Sequence, residues 1–293
     1  MLHRITLLLV LLLGSAAAWG QLNVVATTTN MAMLAKTVGG EHVEVTTLAP
    51  PDRDAHYLDV RPNMMAALRR ADIVVSVGAE LEIGWLPPAI EGAGNRDIYP
   101  ERQGYFEAAN QVDLIEPQDA ADRAMGDVHP RGNPHIYMDP PRMARAGLAL
   151  AEALADLDEA NAESFRRNAR DFRGRVDEKV PEWRGKVEGS PGMLLYHEDA
   201  NYLAELLGVT IHGYLEPVPG VPPTGRHLRD LRDRLVDKEG VLIRTPWQPE
   251  RAATFVREQL GWPVVVLPTN VKLGGDADDY LALIDEWVQA FAP

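Results

Sequence analysis

The chain has no cysteine. That excludes disulfides, thiolate ligands for a metal and a lipid anchor carried on a cysteine. Basic residues are also scarce: 29 Lys and Arg stand against 43 Asp and Glu, for a net charge of −14. Binding to a phosphate backbone needs clustered positive charge, so this balance argues against nucleic acid as a partner. Past the N-terminal segment no apolar run reaches the roughly 20 residues that a membrane-spanning helix needs. The HExxH helix, the GxSxG elbow and the P-loop are missing too. With them go the common local signatures of zinc peptidases, serine hydrolases and nucleotide hydrolases.

What is present begins with an export signal over 1–20. An early Arg4 is followed by an apolar stretch, 5–13, interrupted by Thr6 alone, and by small residues ahead of Gln21. This is the order of a secretory signal peptide, and its apolar stretch is too short to cross a bilayer. Cleavage is expected between Ala18 and Gln21, releasing a soluble chain into the periplasm. Loss of Arg4 makes that chain one unit more acidic. About 270 residues remain, enough core for one or two domains without disulfides.

Strand-like apolar runs fall into two groups. The first holds 22–29 (LNVVATTT), 43–50 (VEVTTLAP) and 72–78 (DIVVSVG), with a weaker run at HIYMD; the second holds 193–197, 209–215, 240–246 and 263–270. Helical patterns cover 30–39, 62–70, 201–207, 227–238, 249–260 and 277–291. Near-continuous apolar strands alternating with amphipathic helices predict an α/β fold with mainly parallel sheets. Between the groups, Met143, Ala146, Leu150, Leu154, Leu157 and Phe165 recur at helical spacing without a strand signal. Pro140 and Pro141 suit a helix start and Pro181 a stop. The expected organisation is an N-terminal α/β lobe over 21–139, a linking helix over 140–186 and a C-terminal α/β lobe over 187–293. The forty residues from Pro141 to about Val180 would reach about 60 Å as unbroken helix, and Gly147 and Gly174 are the places where it could bend or break.

With cysteine absent, imidazole is the nitrogen ligand left for a transition metal. Of the eight histidines, His56 stands in LAPPDRDAHYLDVRP, His135 in GDVHPRGNPHIYMDPPR and His197 in GMLLYHEDANYLAELLG. In open α/β sheets, ligands bind beyond the carboxyl ends of the strands. His56 follows the 43–50 run, His197 ends 193–197, Asn270 ends 263–270, and His135 lies in the connection leaving the first lobe. Two candidates from each lobe can therefore face one cleft, and zinc takes three or four nitrogen or oxygen ligands. Such a site could be structural or catalytic; in a hydrolase, metal-bound water would be the nucleophile and Glu198 the base. A lone loop histidine is most often a surface residue, and shared strand-end placement sets these three apart. His3 leaves with the signal, His42 and His227 are expected in solvent, and His212 is expected to pack within a strand. His129, close to His135, is an accessory or metal-capturing candidate.

The ordered set of segments resembles the metal-binding solute-binding subunits of ABC importers for zinc or manganese, the cluster A-I or zinc-uptake type. The likeness runs from LNVVATTTNMAMLAKTVGGEHVEVTTLAPPDRDAHYLDVRP through GNPHIYMDPPRM and LLYHEDANYLAELLG. It continues in GYLEPVPGVPPTGRHLRDL and VVVLPTNVKLGGDADDYLALI, and so covers essentially the whole mature chain. It implies two lobes joined by a long backbone helix, with Zn2+ bound in the cleft as transported cargo and no catalysis. It carries ligand roles to His56, His135 and His197. A third histidine, where manganese-type members tend to have a carboxylate, favours zinc, in line with zinc's preference for imidazole. The implied partners are an ABC membrane permease and a periplasmic metallochaperone, with the protein itself a monomer.

Two departures from the family pattern stand out. Many members place a carboxylate after the last strand, whereas this chain has LPTN and offers the neutral Asn270. Asp276, Asp278, Asp279 or water are the alternatives for that fourth position. A long His- and Asp-rich loop ahead of the second histidine motif is reduced here to EPQDAADRAMGDVHPRGNPH, with His129 alone before His135.

Overall fold

β1 (Leu22–Ala26) lies between β2 (Val43–Thr47) and β3 (Ile73–Ser76), and β4 (Tyr105–Glu107) completes a parallel sheet in the order β2-β1-β3-β4. The computed structural model describes residues 20–117 and 126–293, so the expected signal segment lies outside the described residues except for Gly20. Val24 is in register with Val45 on one side and Ile73 on the other. Val24, Ile73, Val74 and Val75 have no exposed surface, as strands covered on both faces require. The covering helices of this half include α1 (Thr29–Gly39), α2 (Pro62–Arg69) and α3 (Leu86–Ala93). Thr28 starts α1 by accepting from the backbone N–H of Met31, which is why the TTT of the first apolar run leaves the strand.

The helical connection differs from the single linking helix expected over 140–186. It forms α4 (Pro140–Leu157) and α5 (Ala162–Lys186), separated at 158–161. Asp158 leaves helical geometry at φ −142° and ψ 80°, and its carboxylate accepts from Asn161 Nδ2 at 2.6 Å. Such local Asp and Asn bonds compete with the helix ladder. The break therefore falls at neither Gly147 nor Gly174. The two helices form a hairpin tied by Arg166 to Glu152 at 2.6 Å. Pro181 does not end α5 but lies inside it; beyond it Trp183 is fully buried and donates to Asp285 at 2.7 Å, which holds the last turns in place. At 25 residues, or about 37 Å, α5 is the long helix that joins the lobes.

The second sheet comprises β5 (Met193–Leu195), β6 (Ile211–Tyr214), β7 (Val241–Arg244) and β8 (Val264–Val266), parallel throughout in the order β6-β5-β7-β8. The same winding thus occurs twice, as a two-lobe α/β fold with parallel sheets demands. Helices α6 (Asn201–Leu207), α7 (Gly225–Leu235) and α8 (Glu250–Leu260) belong to this half. The last helix, α9 (Ala277–Phe291), instead packs against α1 and α5. One buried cluster accordingly contains Val24 and Val75 of the first sheet, Met193 and Ile243 of the second, and Trp287 of α9. The boundary at 187 separates the sheets but does not separate the core. The weak HIYMD run is a 3-10 turn, Ile136–Met138, not a strand. Its place in the sheet is taken by β4, whose three residues leave no periodic signal. No helix among the described residues is long and apolar enough to cross a membrane.

Candidate metal centre

The carboxyl ends of both sheets face a common cleft, and the connections leaving them carry the histidines. His56 sits in the loop after β2, His197 two residues past β5, and His135 in the segment leading to α4. All three are buried, and one ring nitrogen from each lies within 4.8 Å of the others. Their ring centroids are 5.2, 5.4 and 5.7 Å apart. The fold therefore brings together the three histidines singled out from the sequence.

Each ring is held from behind. Asp54 Oδ1 accepts from the backbone N–H of His56 at 3.0 Å and from its Nδ1–H at 2.7 Å. Asn133 Oδ1 does the same for His135, at 2.9 and 2.8 Å. The Asn133 amide orientation is fixed because its Nδ2 donates to Glu116 and to the Glu198 carbonyl. His197 Nδ1–H donates to Glu216 Oε2 at 2.8 Å, and the same oxygen accepts from the Gly220 N–H. With Nδ1 of each ring engaged outward, the three Nε2 atoms are the ones left to face the centre of the cluster. This is the outer support that metal-ligating histidines require.

The electrostatics split the three rings. Burial, together with the neighbouring His197 and His56, holds His135 well below the ordinary imidazole range, so it is neutral. Burial opposes charge on His197 as well, but the Glu216 hydrogen bond and the carboxylates of Asp199, Glu216 and Asp54 outweigh it and lift the ring to about 9. Asp54 is half-buried, and loss of solvent works against its charge, yet the bonds from His56 bring its carboxyl down to about 2. The cluster thus sits among carboxylates that suit a cation.

Asn270 lines the same cavity as the three histidines, with its carboxamide oxygen accepting from Asn30 Nδ2 at 3.2 Å. Asn30, in the first turn of α1, also accepts from the Val271 N–H, so it fixes the loop that carries Asn270. The three aspartates further on are engaged elsewhere. Asp276 caps α9 by accepting from the N–H groups of Asp278 and Asp279. Asp279 pairs with Lys272 at 2.7 Å, and Asp278 pairs with Arg175.

Two further residues stand beside the three rings: Asp199, which the sequence did not single out, and His129, its accessory or metal-capturing candidate. Asp199, two positions past His197, is buried with Oδ1 3.9 Å from His135 Nε2 and Oδ2 bonded to Gln248. Burial raises its pKa. His129 is buried with its Nε2 3.2 Å from His56 Nε2. Its Asp-x-His spacing matches that of Asp54 and His56, a signal available in the sequence. The remaining rings are structural: His212 bonds the Pro191 carbonyl and packs on Trp262. His227 is half-buried on the Tyr214 carbonyl rather than solvated. His42 meets the Phe165 ring edge-on.

A model of the family of periplasmic zinc-uptake complex component A, ZnuA, matches residues 24–293. The chain belongs to this family. It is similar to the high-affinity zinc uptake system protein ZnuA of Yersinia pestis, with 24% identity over 67% of this chain and 66% of that protein. The manganese ABC transporter substrate-binding lipoprotein PsaA of Streptococcus mitis is 23% identical over 66% of this chain and 62% of its own length. These alignments span less than two thirds of each relative. A crystal structure of ZnuA superposes with a TM-score of 0.78 at 18% identity, covering 93% of this chain and 100% of the other. The solute-binding protein FpvC of Pseudomonas aeruginosa, in complex with Mn2+, gives 0.76 at 20% identity, covering 92% and 96%. The ZnuA fold thus extends over nearly the whole chain.

Proposed function

We propose that this ZnuA-family chain captures a divalent transition metal, zinc ahead of manganese, in the periplasm and delivers it to the membrane permease of an ABC importer. The observation that carries the reading is the set of three buried imidazoles whose Nδ1–H groups all point outward. Three neutral nitrogen donors suit zinc, whereas manganese favours carboxylate oxygen. His56, His135 and His197 are the ligands, and Asn270 forms the wall beside them. The protein acts as a monomeric receptor, not as an enzyme, and takes its cargo directly or from a periplasmic metallochaperone. Equilibrium dialysis of metal-stripped protein tests this. One zinc per chain is expected at neutral pH, and none after His56, His135 and His197 are all changed to alanine. Undiminished binding in the triple variant would remove the site.

Proton competition gives a second expected result. Zinc needs the Nε2 lone pair of His197, which carries a proton below about 9 before the metal arrives. His135 holds no competing proton near neutrality. At pH 7.5 zinc should therefore release about one proton from His197, and affinity should rise with pH until about 9 and then flatten. Titration calorimetry in buffers of different ionisation enthalpy measures that proton. A buffer-independent heat would contradict it.

A further inference from the structure

The second lobe carries a groove outside the metal centre. Helices α7 and α8 pack side by side, and between them and the loop ahead of α7 lies an open space of about 480 Å3. Its floor is formed by the buried Tyr196 and Ala252, and its walls by Pro222, Leu228 and Phe255. Phe255 is half-buried and is not among the apolar side chains packed on the core of this lobe. Pro222 lies in the run EPVPGVPP, whose four prolines lose little freedom when a partner settles on them. A space of this size and lining accepts a large apolar side chain with its flanking backbone.

The rim of the groove carries charge of one sign. Arg229 of α7 and Arg251 of α8 line it, both exposed, and neither has an acidic partner among the described residues. Their neighbours do: Arg226 pairs with Asp230 at 3.9 Å, Arg232 with Asp233 at 2.5 Å and Arg257 with Glu250 at 3.5 Å. Two unpaired guanidinium groups beside an apolar trough are complementary to a segment that brings carboxylates on either side of an aromatic or aliphatic residue. Arginine and aromatic side chains in such settings carry much of the binding energy of protein interfaces. A second copy of this chain fits less well, because two molecules of net charge −14 repel each other.

The groove is also joined to the metal centre. Its floor residue Tyr196 immediately precedes His197, and its proline wall belongs to the loop whose Glu216 holds the His197 ring through Nδ1 at 2.8 Å. Glu216 Oε2 also accepts from the N–H of Gly220, two residues before Pro222. Gly220 has φ 76°, and a Cβ there would lie 2.7 Å from Asp127 Oδ2, so the middle of the loop is closely packed. A partner seated in the groove therefore bears on the loop that orients a candidate ligand, which is where the receiver of the metal would have to act. We propose that this groove docks a carboxylate-bearing apolar segment of the permease, on the face of the second lobe beside the metal centre. The proposal rests on the receptor reading above and names where the membrane partner sits.

Docking of the zinc-loaded, full-length mature protein onto the permease of the same importer, reconstituted in nanodiscs, tests the assignment. The double variant Arg229→Glu, Arg251→Glu should bind the permease at least about tenfold more weakly, the scale of a lost interface anchor. It should also lose the fall of association rate with added salt that the unaltered protein shows. Phe255→Ala, which leaves the charge alone, should weaken docking by a similar factor. Both variants should keep the zinc affinity of the unaltered protein, which shows that they fold. Full docking by both would overturn the groove and leave the receptor standing. An equal loss in Arg167→Glu, Arg173→Glu, a double charge reversal on α5, would reduce the effect to net charge and overturn it too. A dimer of the unaltered protein that dissociates in the groove variants would give the groove to a second copy instead. No docking and no stimulation of ATP hydrolysis by the unaltered protein would remove the receptor reading and the groove with it.

Discussion

Changing His135 to alanine is expected to weaken zinc binding by at least about 100-fold, the upper end of what outer-shell losses cost and a floor for a ligand at the centre of the cluster. His135 is 2% exposed, and its ring lies 5.2 and 5.4 Å from those of His197 and His56. It needs no deprotonation, since burial keeps it neutral. The loss at position 135 should leave the fold intact, because Asn133 Oδ1 keeps its bond to the backbone N–H. Competition with a chromophoric chelator measures the affinity, and thermal unfolding of the metal-free protein checks the fold. An affinity within threefold of the unaltered protein would take His135 out of the ligand set.

The parts of this site visible in the sequence are those that topology alone dictates. Strand ends in parallel sheets point the same way, so His56, His197 and Asn270 could be assigned to one cleft from the ends of apolar runs. The supports behind the rings divide by distance along the chain. Asp54 and Asn133 precede their histidines by two residues and were readable as a repeated spacing. Glu216 and Asp199 meet their partners only because β6 and β7 flank β5. The position of His129 depends on Ala79, 50 positions away and held in a turn with left-handed backbone. Helix limits failed for a related reason. The 158–161 break rests on one Asp–Asn contact, whereas the glycines at 147 and 174 are accommodated: Gly147 packs close to Leu34, and nothing crowds Gly174. The fourth strand was missed because three residues carry no period. The proposed zinc preference rests on a third histidine where manganese-type members tend to have a carboxylate, which needs no fold to read.

The linkage between the lobes bears on how a receptor of this kind is loaded. Asn30 of α1 donates to the Thr269 carbonyl at 2.8 Å, and Tyr202 of α6 donates to the Asn133 carbonyl at 2.6 Å. Both bonds cross from one half of the chain to the other close to the ligands. With the buried cluster also continuous between the sheets, wide hinge opening would break packed contacts along α4 and α5.

Trp287→Ala should produce a large loss of stability with little loss of binding. Trp287 is 1% exposed on α9, which packs on α1 and α5, and its indole donates to the Pro268 carbonyl at 2.7 Å. Removing a buried indole costs about 3–5 kcal/mol, and here it also strips a donor from a carbonyl two residues before Asn270. Denaturant unfolding should show the midpoint fall with the slope unchanged. The hydrogen bonds that orient the three rings come from Asp54, Asn133 and Glu216, none of which lies on α9. Free zinc at 100 times its dissociation constant should therefore add about 2.7 kcal/mol to the variant, as it does to the unaltered protein. A penalty below about 1 kcal/mol would be small for a buried indole and would contradict the role given to α9 in the shared core. An unchanged zinc increment on a weakened fold places stability in the helices around α5 and function in the loops above the sheets.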